Sequence, residues 1–135
     1  MTPHALPLVV GALLALAVGV MATVARLDRD RAFYPTVMIV IAYLYCLFAV
    51  MGGSTRALLV ESLLGTVFAA AALAGFRSSL WIVAGALAGH GLLDFIHGAV
   101  IDNPGVPSFW PAFCGAYDII AGAYLAWLLR SGRTR

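Results

Sequence analysis

Five apolar stretches of about twenty residues each recur along this chain, and they decide the solvent in which it folds. They cover positions 6–25, 34–51, 56–76, 80–101 and 109–129. Each is long enough to cross a bilayer core as a helix. The remainder is too short to form a water-soluble domain. Of the 135 residues, 63% are hydrophobic and 10% charged, whereas soluble domains carry about 25% charged residues. The predicted fold is therefore an all-α integral membrane protein, a single bundle of five transmembrane helices, multi-pass in a plasma or bacterial inner membrane.

The first stretch has no Lys or Arg before it and a basic cluster after it, the reverse of a secretory signal, so it reads as a retained helix. All eight basic residues are arginines. Arg26, Arg29, Arg31, Arg77, Arg130, Arg133 and Arg135 flank one set of helix ends, and Arg56 alone flanks the other. Positive charge marks cytoplasmic loops. This asymmetry predicts an N-terminus outside, a C-terminus in the cytoplasm, and outer loops at 52–55 and 102–108. With no lysine, a retinal Schiff base is excluded. No basic face suggests nucleic acid as a partner. The expected surroundings are membrane lipids, with a homo-oligomer as a further possibility. Cys46 and Cys114 lie in apolar stretches and read as thiols, not as a disulfide framework. Trp81, Trp110 and Trp127 lie near helix ends, as in an aromatic belt.

Six acids occur in the chain. Asp28 and Asp30 are expected to pair with arginines of the first loop, and Asp102 lies in an outer loop. Glu61, Asp94 and Asp118 fall inside spanning stretches, where a carboxylate costs about 2–3 kcal/mol on insertion scales. At the helical rise they lie roughly 8, 10 and 13 Å below the outer ends of their segments, a similar depth. Two histidines join them in His90-Gly-Leu-Leu-Asp94-Phe-Ile-His97. At about 100° per residue, His90, Asp94 and His97 form one stripe on a helix face. Gly85 and Gly89 fall on the far side and suit close helix contact.

Glu61, His90, Asp94, His97 and Asp118 are thus expected to converge from three helices. Two imidazoles with carboxylates suit a transition metal such as zinc, iron or manganese. Glu61 or Asp118 would then be the general base. Cys114, one turn before Asp118, reads mainly as a packing thiol. Tyr43, Tyr117 and Tyr124 are candidate hydrogen-bond donors to the site, and the 102–108 loop reads as a rigid turn, with a lid over the site as the alternative. The pattern predicts an intramembrane enzyme, metal-dependent or using His/carboxylate acid–base chemistry, acting on a lipid-like or apolar substrate in the outer half of the membrane. The His90–Asp94 spacing resembles chemistry used by sterol isomerase families, and membrane ceramidases similarly gather His and Asp around zinc. The other motifs of both are absent. A proton or divalent-cation transporter, a metal- or haem-binding subunit of a larger complex, and a purely structural polar network are the competing readings.

Overall fold

The computed structural model describes residues 2–134, so Met1 and Arg135, the last arginine of the basic tail, lie outside the described residues. The architecture is five helices, α1 (Ala5–Ala25), α2 (Phe33–Met51), α3 (Thr55–Arg77), α4 (Leu80–Val100) and α5 (Trp110–Arg130), with a 3-10 turn at Leu27–Arg29. No strand occurs among the described residues. All five helices are long and apolar enough to cross a membrane.

Local signals set the ends. The hydroxyl oxygen of Ser54 accepts from the Ala57 amide and that of Ser79 from the Trp81 amide, capping α3 and α4. Arg26 adopts a left-handed conformation (φ 65°) that turns the chain out of α1. Arg31 donates to the carbonyls of Gly75 and Phe76, meeting the partial negative charge at the α3 C-terminus.

Helices α1 and α3 bury small residues and expose large ones. The inward seam of α1 is Gly11, Ala15, Gly19 and Ala22. That of α3 is Ala57, Glu61, Gly65, Ala69, Ala72 and Gly75. Leu13, Val24, Leu63 and Leu92 point outward with most of their surface bare. Water would reject such an exterior, whereas lipid accepts it and leaves close packing to the small seams. The α4 helix is central. It lies against α5 and α3 and touches α2, while α1 packs on the outer side of α5.

Several expectations are revised. Gly85 and Gly89 do not mediate close packing, because nothing lies within 4 Å of a Cβ built at either. That face of α4 meets no other helix. The tight glycine of α4 is Gly91, on the polar side, pressed on Gly115, Asp118 and Ile119 of α5. Among the described residues, Asp28 does not pair with an arginine. It is buried, accepts from the Thr23 hydroxyl at 2.6 Å, and its carbonyl accepts from Thr134. Asp30 accepts from the Ala32 amide. Trp110 is half-buried and packs edge-on against Phe48, whereas Trp81 and Trp127 are exposed as a belt requires.

The loop between α4 and α5 is seated, not splayed. A Cβ at Gly105 would collide with the backbone of Phe48 and Gly52, so only glycine lets this loop press onto the end of α2.

Candidate functional site

Glu61, His90, Asp94, His97 and Asp118 all turn into the bundle, and none exposes more than 2% of its surface. Burial of that degree removes them from lipid and water alike, so each must be satisfied by the protein. They do not form one five-membered cluster. They separate into two levels, spaced along α4 by the seven residues from His90 to His97, or about 10 Å.

At the deeper level, His90 Nδ1 and Asp118 Oδ2 are hydrogen-bonded at 2.7 Å. Asp94 Oδ2 stands 3.5 Å from the same nitrogen. The Cys114 thiol lies 3.8 Å from Asp118 Oδ2, one helical turn away on α5. The His90 and Phe68 rings meet edge to face with centroids 4.8 Å apart. Close approach of α4 and α5 at Gly91 and Gly115 brings these side chains together, since a side chain at either glycine would push the helices apart.

At the second level, His97 Nε2 and Glu61 Oε1 are joined at 2.5 Å. Asn103, from the α4–α5 loop, donates to the same Glu61 oxygen at 3.2 Å and to the Tyr45 carbonyl at 3.0 Å.

Tyr45 connects the levels. Its ring stacks on His97 with centroids 3.9 Å apart and planes 10° apart. Its hydroxyl donates to Asp94 Oδ1 at 2.7 Å. The site therefore draws on α2, α3, α4, α5 and a loop, rather than on three helices.

Tyr45 carried no expectation from the sequence, Asn103 none beyond its place in the candidate lid loop, and Cys114 was expected mainly to pack. The expected donor Tyr43 is exposed and shares a hydrogen bond with Thr66 instead. The phase of α2 carries the missing signal. Tyr34, Met38, Ile41, Tyr45 and Phe48 recur every three or four residues and form its buried face, to which position 43 does not belong. Tyr124 lies at the other end of the bundle, bonded to Thr23.

A buried group at the deeper level can hold a metal ion. Ligand atoms of His90, Asp94, Cys114 and Asp118 all lie within 4.8 Å of one another. One atom already lacks a partner: Asp94 Oδ2 is buried and makes no hydrogen bond. A buried carboxylate oxygen without a hydrogen bond, beside an imidazole, a thiol and a second carboxylate, is what a cation would complete.

An apolar cavity of about 350 Å³ reaches this group from the side. Leu14 and Val18 of α1, Val40, Ile41 and Leu44 of α2, and Phe113 and Tyr117 of α5 line it, and Cys114 is among its walls. It forms because α1 packs on α5 and leaves a lateral gap beside α2. No protein-family model matches this chain, nor does any curated protein or solved structure, so the chemistry of the site is the guide to its function.

Proposed function

We propose that this chain is a multi-pass protein of the cell membrane that uses a transition metal in an intramembrane enzyme reaction on a lipid-like, apolar substrate. The ion is held by His90, Asp94, Cys114 and Asp118. One observation carries the reading: a fully buried donor set with an unpaired Asp94 oxygen adjoins, through Cys114, an apolar cavity of a size suited to small ligands. An ion there that accepts a fifth ligand would polarise a carbonyl or phosphoryl oxygen or activate a water. A borderline ion such as zinc suits one thiolate, one imidazole and two carboxylates better than manganese does. The arginine asymmetry puts the Asn103 end of the bundle outside, and with it the site in the outer half of the membrane.

A one-ended pocket is favoured over a transport path. Toward the arginine-rich end, Met38, Leu87 and Leu125 are each wholly buried and form a dry layer below the site. Both imidazoles are packed against aromatic rings and bonded to carboxylates, which disfavours a haem ligand role.

Elemental analysis of the detergent-purified protein tests the proposal. One transition-metal ion per chain, lost in His90→Ala and in Asp94→Ala, is the expected result. A metal-free protein that takes up no added zinc, cobalt or manganese would remove the basis of the reading.

A further inference from the structure

The Glu61–His97 pair and Tyr45 lie outside the four-residue donor set, yet burying them is expensive and must be offset by some gain. Tyr45 is gripped at both ends. Its carbonyl accepts from Asn103, and its ring lies flat on His97. His97 is fixed by Glu61, and Glu61 by the same Asn103. The contacts close a loop around Tyr45 and leave its hydroxyl directed at the deeper level. That hydroxyl takes Asp94 Oδ1. The consequence is geometric: with Oδ1 engaged, Asp94 can present only Oδ2 to His90, Asp118 and Cys114, and Oδ2 is the oxygen without a partner.

We infer that Tyr45 is a positioning residue for the buried donor set, orienting Asp94 toward the ion, with Asn103, Glu61 and His97 bracing Tyr45. This inference rests on the metal-binding reading above. In metal sites, hydrogen bonds to a ligating carboxylate fix its orientation, and losing one costs about 10–100-fold in affinity. The inference makes Glu61 and His97 supports and not ligands, which changes the role expected of them from sequence. It also joins the α4–α5 loop to the site, since Asn103 starts the chain of contacts.

Cobalt(II) titration of the detergent-solubilised protein provides the test, because a cysteine thiolate bound to cobalt gives a charge-transfer band and the ligand-field bands report geometry. Tyr45→Phe keeps the ring and its stack but removes the hydroxyl. Cobalt binding is expected to weaken about 10–100-fold with altered ligand-field bands. Tyr43→Phe, which changes only the contact with Thr66, is expected to match the wild type. A paired comparison covers the case in which Tyr45→Phe does not fold. With Glu61→Gln in both, His97→Phe retains a ring against Tyr45 and is expected to bind cobalt nearly as the wild type does. His97→Ala removes the ring and is expected to bind about 10-fold or more weakly.

Equal cobalt affinity and spectra for Tyr45→Phe and wild type would overturn the inference while leaving the metal site standing. Complete loss of binding in the His97→Phe, Glu61→Gln protein would also overturn it, by making one of these residues a ligand. Absence of cobalt binding by the wild type would instead overturn the metal reading itself, and the inference with it.

Discussion

Replacing Asp94 by asparagine should move metal binding and metal-free stability in opposite directions. Asp94 is fully buried, with Oδ1 on the Tyr45 hydroxyl at 2.7 Å and Oδ2 without a hydrogen bond, 3.5 Å from His90 Nδ1. Two carboxylates, Asp94 and Asp118, face this one imidazole. When both carboxylates are ionised, even a protonated His90 would leave one surplus negative charge on this buried trio. An unpaired buried acceptor costs about 1–3 kcal/mol, and more when charged. Asparagine keeps the shape and an oxygen for Tyr45 while removing the surplus charge. The metal-free variant is therefore expected to be more stable than the metal-free wild type, by about 1–2 kcal/mol. With zinc the order reverses. At a free concentration one hundred times its dissociation constant, zinc stabilises the wild type by about 2.7 kcal/mol. If loss of the anionic ligand weakens binding about 100-fold, the variant gains only about 0.4 kcal/mol at that concentration. Unfolding of both proteins in detergent, followed by circular dichroism with chelator and with zinc, measures the two effects. A variant less stable than the wild type in chelator, or one stabilised equally by zinc, would refute the reasoning.

Three further outcomes are expected. Gly105→Ala drives a Cβ into the Phe48 carbonyl and should destabilise the fold by about 1–3 kcal/mol, measured as a lower melting temperature in detergent. Cys114→Ser replaces the one soft donor by a hydroxyl and should shift ion preference from zinc toward manganese, read by competition with a chelator of known affinity. Val40→Trp, at the mouth of the lateral cavity, should leave metal content unchanged while reducing the lipid that copurifies, measured by mass spectrometry of the intact complex.

The five helices and the inward turn of their acids were legible because both follow from one rule: what lipid rejects must face protein. Glu61 illustrates this within α3, where Ala57, Gly65, Ala69 and Ala72 continue its seam at helical spacing. The partition of the site was not legible. Depth counted from segment ends placed Glu61, Asp94 and Asp118 together, but the relative offset of neighbouring helices is set by packing at Gly65, Gly91, Gly115 and Gly122, which no span boundary encodes. Gly85 and Gly89 carry the same small-residue spacing yet meet nothing, because spacing does not say which face acquires a partner. Asn103 lay hidden for a different reason. Its amide reaches Glu61 only because Gly105 lets the loop settle against α2, a long-range contact without local signature. Asp28 looked like one member of a charged loop, and the Thr23 hydroxyl that satisfies it sits a turn back on α1.

X-ray absorption at the zinc edge of the reconstituted protein tests the central claim most directly, because it counts the atoms around the ion. The expected shell is one sulfur at about 2.3 Å with nitrogen and oxygen neighbours near 2.0–2.1 Å, and the outer-shell scattering of a single imidazole. A shell without sulfur, or one with two imidazoles, would place the ion elsewhere in the bundle and contradict the assignment to His90, Asp94, Cys114 and Asp118.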